Sequence, residues 1–209
     1  MIARLIGRVL RKPKVHNWLL EHARGTPDAP ILSPDETEVY MNRYWLFNPI
    51  GSDYTRKYPF IPFSIRIHNI LRHDQDRHMH DHPFNARTWI MRGGYNEVRL
   101  VDGHVVEIER RAGDTSTLGF DSYHKITRIE DGGALTFFMF GPYKGQWGFL
   151  VDGHKMLHRQ YVERFKQPLR VVVNVDDQVT PQLKSIAEVL GMSRDDIFKH
   201  VRTFEKPEK

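Results

Sequence analysis

The chain has 209 residues, 40% hydrophobic and 11% aromatic, with a formal charge of +5 and a pI near 9.4. Cysteine is absent, which excludes disulfides, zinc–thiolate sites and a cysteine nucleophile and fits a cytoplasmic setting. No apolar run approaches the roughly 18 residues of a membrane span, so none is expected, and the length suits one large domain or a medium domain with an appendage.

Ile2, Leu5, Ile6, Val9 and Leu10 follow helical spacing with arginines on the other face, and Pro13 ends or kinks that helix. It is expected to dock on the body of the protein or on a second subunit. A membrane-surface helix and a transit peptide are the alternatives. Part of the charge excess is local, because residues 1–14 carry Arg4, Arg8, Arg11, Lys12 and Lys14 and no acid. A nucleic-acid surface would need a basic stripe interleaved with exposed aromatics, and none follows this end. A small anionic partner is at least as consistent with the excess.

Residues 25–37 read as a loop rich in turn formers. From residue 39 the apolar period shifts to two. Strands are expected over 40–47, around Ile65 and Ile67, and over 89–91, 98–101, 105–108, 135–140 and 149–151. Asp102-Gly103 and Asp152-Gly153 are hairpin dipeptides. Short strands without intervening helices imply an antiparallel sandwich or barrel. Further on, residues 169–175 read as a strand, and 181–190 and 194–204 as helices, with Gly191 as a C-cap and Ser193 with Asp196 as a capping-box-like start. The second helix lacks the basic density of a DNA reader. The expected organisation is an N-terminal extension (1–38), a β-barrel (39–166) and a strand-plus-two-helix appendage (167–209).

The richest chemistry lies in His78-Met79-His80-Asp81-His82-Pro83. On an extended strand the three imidazoles would share a face, about 7 Å apart in neighbouring pairs and about 13 Å between the outer two. One neighbouring pair can therefore close on a metal ion, and the spacing alone leaves open which. A fortuitous surface cluster is the competing reading.

With the segment 113–124 downstream, this motif resembles the two signatures of the cupin superfamily. The first is H-x-H, three or four residues, Glu, six residues, Gly; the second is built around a Gly, a later P-x-G and a ligand His. With His80 and His82 as the H-x-H, the glycine falls on Gly93 or Gly94. Counting back from His124, the second motif opens on Gly113. Gly119 replaces its proline, Asp121 its second glycine and Arg128 its asparagine. The resemblance covers residues 60–150. It implies a double-stranded β-helix (jelly-roll) barrel with His80, His82 and His124 as metal ligands and His78 either supporting a ligand or in the pocket wall.

The motif's Glu falls on Ala86 or Arg87, so the usual three-His-one-Glu sphere is lacking. The remaining set is similar to that of the cysteine dioxygenase group, which implies Fe2+, with Zn2+, Ni2+ or Mn2+ as other occupants. Three neutral ligands leave a net charge of about +2, which favours an anionic substrate. Arg87 is then a candidate carboxylate or phosphate clamp, and otherwise a solvated strand residue. Glu97, Tyr95 and Tyr123 are candidates for proton handling, Glu97 alternatively for orienting an imidazole, and Trp147 for the pocket mouth. Asp81 should point away from its neighbours and fix the following turn. His68 and His73 read as structural or as supporting the ligands, and His104, His154 and His158 as exposed. Three functions compete. One is a metal-dependent oxygenase. Another is a metal-independent isomerase or epimerase resembling the sugar-nucleotide cupins, with His78 or His124 and Asp121 as a basic dyad. The third is a non-catalytic binding module. A homodimer is expected from the strand edges and the N-terminal helix.

Overall fold

A computed structural model describes residues 2–33 and 38–165. The strand expected over 169–175 and the helices over 181–190 and 194–204 lie outside them. Residues 1–161 form one compact unit, and 162–209 belong to a second whose described part is the last turn of one helix. The elements in chain order are α1 (Ile2–Leu10), α2 (Pro13–Arg24), β1 (Pro27–Leu32), β2 (Val39–Phe47), β3 (Ser64–Ile70), β4 (Ala86–Arg92), β5 (Gly94–Val101), β6 (His104–Arg111), β7 (Thr115–Leu118), β8 (His124–Ile129), β9 (Ala134–Phe140), β10 (Gly148–Val151), β11 (His154–Leu157) and α3 (His158–Phe165).

The fold is a mainly β, jelly-roll architecture of antiparallel sheets. One sheet runs β1-β2-β3-β9-β4-β7, a second β6-β5-β8, and a third pairs β10 with β11. The histidine motif joins the last two. His80 makes an isolated bridge with His124 of β8 and another with Phe149 of β10. The His80 N–H donates to His124 O and the His124 N–H to His80 O, each at 2.9 Å. The motif is therefore a single-residue seam between two sheets, and not the regular strand that its alternation suggests. Residues 78–82 form no named strand.

Strand alternation splits the first sheet into two faces. Ile67, Trp89, Met91 and Leu135 face the helices and pack with Leu10, Leu20 and Ala23. Trp45, Ala86, Leu118, Phe138 and Phe140 face inward with Phe84. Ile70, Ile90, Tyr95, Ile126 and Ala134 continue the interior across to β5 and β8. Each such buried large side chain stabilises the fold by about 1.5–3 kcal/mol.

The Asp-Gly dipeptides make the hairpins they predict. Asp102 and Gly103 have φ of 49° and 78°, Asp152 and Gly153 of 50° and 80°, as a type I′ turn requires. Val101 pairs with His104 and Val151 with His154.

Two further expectations are corrected. The segment 25–37, read as a loop, contains β1. Its prolines are tolerated because β1 is an edge strand paired with β2 alone, in a register that shifts between Asp28 and Ile31. In α1 the docked stripe is Ala3, Gly7 and Leu10, while Ile2, Leu5, Ile6 and Val9 stay exposed. Gly7 sets that choice. A Cβ there would lie 2.3 Å from Gly113 O, so the helix backbone sits directly on the turn before β7. The Trp89 Nε1–H donates to Ala3 O at 2.8 Å and fixes the same face. Pro13 opens α2 at its first position, where it forfeits no helical hydrogen bond. No helix of the described residues is long and apolar enough to cross a membrane.

Candidate metal centre

His80, His82 and His124 converge, each offering a ring nitrogen, with all three nitrogens within 4.8 Å of one another. His124 opens β8, and the seam described above brings His80 beside it. Asp81 holds that seam from behind. It is fully buried, its Oδ1 accepts the Gly148 N–H at 2.7 Å, and its Oδ2 pairs with Lys155 of β11 at 2.5 Å. Asp81 therefore points away from its histidine neighbours, as expected, but it secures the distant β10–β11 hairpin and not the following turn. His82 is seated by aromatic rings. Phe84 stacks on it (centroids 5.7 Å apart, 15° between planes), and Phe138 lies at 6.2 Å.

Nε2 of His82 lies 2.9 Å from Nε2 of His124. Two lone pairs at that distance repel unless a proton or a cation lies between them. Two imidazoles bound to one ion at about 2.1 Å and about 90° would place their nitrogens about 3.0 Å apart. Burial holds the His82 imidazole well below its usual pKa, and the neighbouring His124 and His80 push the same way. It is thus neutral at pH 7, the form that ligates metals. The donor set fits a divalent ion.

Behind His124 stands Glu97, fully buried on β5. Its Oε2 lies 3.2 Å from His124 Nδ1, and Arg110 donates Nε to its Oε1 at 2.6 Å, while Arg99 donates Nη2 to Oε2 at 3.1 Å. Burial would raise this carboxyl's pKa. The bond from His124 and the charges of Arg99 and Arg110 outweigh it and bring the value down to about 2. An anion at Nδ1 fixes the tautomer that leaves Nε2 free. Behind His80, the Asp74 carboxylate lies 4.0 Å from Nδ1 and accepts the Ile126 N–H at 2.7 Å.

The other sequence candidates fall in different places. Trp147 stands 6.3 Å from His80 and stacks on His158 at 4.1 Å, so His158 is not the free surface residue expected. His78 leaves the cluster, with Nδ1 3.1 Å from the hydroxyl of Tyr161 in the middle of α3. Tyr123 is half-buried beside Asp81 and Lys155, and burial raises its pKa. Tyr95 is buried among Ile70, Ile90 and Ile126, and burial followed by the Glu97 charge pushes its hydroxyl far up, so it stays protonated.

Arg87 does not face the histidines. It stands over Trp89 (5.8 Å) and reaches Thr115 Oγ1 at 3.4 Å, on the helix-facing side of β4. Its neighbours Ala86 and Thr88 take the interior positions. Asp121 pairs with Lys155 at 3.0 Å and is exposed, so the dyad expected between it and His124 is absent; the carboxylate partner of His124 is Glu97. The φ of +64° at Asp121 explains why that position takes glycine in the motif it resembles. His68, of the same interior parity as Arg66, stacks on Phe138 at 4.6 Å.

Asp74, Arg99 and Arg110 were not singled out from the sequence. Arg99 and Arg110 carry a signal, since both share the strand parity of Glu97 once β5 and β6 are paired. Asp74 carries none, because it lies in an irregular segment.

No protein family and no curated protein matches the chain. Among solved structures it is similar to oxalate decarboxylase from Bacillus subtilis, at 10% identity and a TM-score of 0.45, covering 85% of this chain and 38% of that one. Hydroxypropylphosphonic acid epoxidase from S. wedmorenis is 14% identical with a TM-score of 0.38, covering 54% of this chain and 55% of that one. A putative mannose-6-phosphate isomerase from Ralstonia eutropha is 12% identical with a TM-score of 0.35, covering 38% and 74%. The chain thus spans well under half the length of the decarboxylase.

Proposed function

We propose that the chain is a cupin-type metalloprotein that binds one divalent ion through His80, His82 and His124 and acts on a small anionic metabolite, with oxidation by dioxygen at iron(II) as the reaction class. The observation that carries this reading is the convergence of three imidazoles with a buried carboxylate held against the outer nitrogen of one of them. An ion at this centre supplies Lewis acidity and, as iron, redox capacity, with positions left over for substrate.

The protein's own groups prepare that centre. Glu97 accepts the Nδ1 proton of His124 and aims Nε2 inward, while Arg99 and Arg110 keep the carboxylate ionised and in place. Asp81 and Lys155 fix the seam that positions His80. Trp147, 6.3 Å from His80, forms part of the wall. Tyr123 remains the candidate proton donor nearest the Asp81–Lys155 pair. The guanidiniums of Arg99 and Arg110 outnumber the Glu97 charge, so the neighbourhood favours an anion even though Arg87 faces elsewhere.

One observation favours a second reading, a metal-independent isomerase. The His124–Glu97 pair at 3.2 Å is also what a proton-abstracting imidazole needs. Metal analysis of the purified protein separates the two. A stoichiometric divalent ion that is lost in both His80→Ala and His124→Ala supports the first, and absence of metal at any stoichiometry overturns it. Dioxygen consumption across thiols, keto acids and nucleotide sugars then tests the reaction class. The exposed stripe of Ile2, Leu5, Ile6 and Val9 suits pairing with a second copy of the chain, and monomeric sedimentation would remove that assignment.

A further inference from the structure

A row of arginines runs along α1 beside Arg110, the residue that pairs with Glu97. A cavity of about 590 Å³ opens between α1 and the β6–β7 turn, lined by Arg4, Arg8, Arg11 and Arg110 together with Asp114 and Thr115. Arg4, Arg8 and Arg11 follow one another at four and three residues and so share a helix face. No carboxylate among the described residues forms an ion pair with any of the three. The one acid in the lining, Asp114, has its Oδ2 taken by the Arg111 N–H at 2.9 Å.

Arg110 is already paired with Glu97, so three guanidiniums without an ion-pair partner stand beside one carboxylate and repel one another. The backbone that carries them is fixed, because Gly7 seats α1 on Gly113 and the Arg11 side chain lies against that same glycine, while the three side chains themselves are exposed. The rise from Arg4 to Arg11 is about 10 Å, so the charges form a stripe and not a point, which suits an anion carrying more than one negatively charged group. Planar guanidinium forks match phosphoryl oxygens.

We propose that this cavity binds a diphosphate-class anion, and that Arg110 links it to the metal centre. Arg110 lines the cavity and also donates Nε to Glu97, whose other oxygen holds His124. An anion that draws on Arg110 competes with Glu97 for the same guanidinium and shifts the carboxylate behind the imidazole. The link rests on the function proposed above; the cavity's anion binding does not.

The probe is inorganic pyrophosphate, titrated calorimetrically into the 209-residue chain without added metal. Saturable binding is expected, weakened at least about tenfold in the double variant Arg4→Ala/Arg8→Ala. Arg24→Ala, which removes one positive charge at a pair with Glu21 on α2, should leave it intact. No binding in the unaltered chain, or equal binding in the double variant, overturns the site. A parallel arm uses vesicles of phosphatidylcholine with phosphatidylglycerol. Vesicle binding that is lost in the double variant, without heat from pyrophosphate, likewise overturns the diphosphate site and assigns the arginine stripe to a lipid headgroup.

The link is read from the His124 ring nitrogen resonances, which should move with pyrophosphate in the unaltered chain and stay fixed in the double variant. Unmoved resonances at saturation overturn the link. Loss of the metal reading alone, with pyrophosphate binding intact, leaves the cavity standing.

Discussion

Glu97 concentrates more interactions than any ligand it supports. Replacing it by glutamine removes the anion from His124 and leaves Arg99 and Arg110 facing an amide. Metal affinity should fall about 10–100-fold, measured by chelator competition. Its carboxyl stands at about 2 in the folded chain against a usual 4.5. The stability it contributes is therefore complete above about pH 4.5 and is lost as pH falls toward 2, on the order of 3 kcal/mol. Urea unfolding at pH 3 and pH 7 should show a smaller difference in Glu97→Gln. His68 acts at higher pH. Burial, then Arg66 and Arg43, depress its pKa well below 6.5, so its contribution is lost as pH falls below about 6.5. Among these residues, the register of the two motifs the sequence resembles separated His80 and His82 from His78 and pointed to His124, and the three imidazoles do converge. Parity on a strand was not enough to say which face is inward, which is why Arg87 was aimed at the site while Arg99 and Arg110 were passed over.

At the scale of elements, two glycines with similar backbone strain predict different outcomes. Gly93 (φ +67°) would place a Cβ 2.0 Å from Gly133 O, whereas Gly103 (φ +78°) has nothing within 4 Å. Alanine at 103 should cost about 1 kcal/mol, and at 93 about 3 kcal/mol or more, by denaturant unfolding. The β10–β11 hairpin offers another contrast. Lys155→Met leaves the buried Asp81 carboxylate without its cation and should cost about 1–3 kcal/mol, since Lys155 is about a quarter exposed. Metal content should fall with it, because the same carboxylate holds the seam at His80. The strands with apolar alternation and the two Asp-Gly turns were legible from the sequence. β1, β7, β8 and β11 were not: they are short, polar or proline-bearing, and they become strands only because a neighbour offers a hydrogen-bonding edge.

For the whole molecule, the placement of α1 decides what the surface presents. Gly7→Ala forces the helix off Gly113, so Trp89 loses its bond to Ala3 and its fluorescence should shift to longer wavelength. Metal content should stay unchanged, because α1 touches none of the ligands. The same variant should weaken pyrophosphate binding by disordering the cavity. The helix itself was predicted by its apolar spacing. Its orientation was not, because the spacing marks an apolar stripe and cannot tell that a glycine beside that stripe approaches the barrel most closely.

The seam at His80 also constrains how the protein is assembled. Its ligand partners come from positions 42 residues apart, and the Asp81 clasp closes on Gly148 across 67 residues. Contacts of that separation form after local hairpins such as β5–β6 and β10–β11, since loop closure must be offset by structure already in place. The three imidazoles therefore assemble near the end of folding. An ion cannot template the early chain; it can only lock a nearly native one, so added metal should slow unfolding and leave the refolding rate almost untouched.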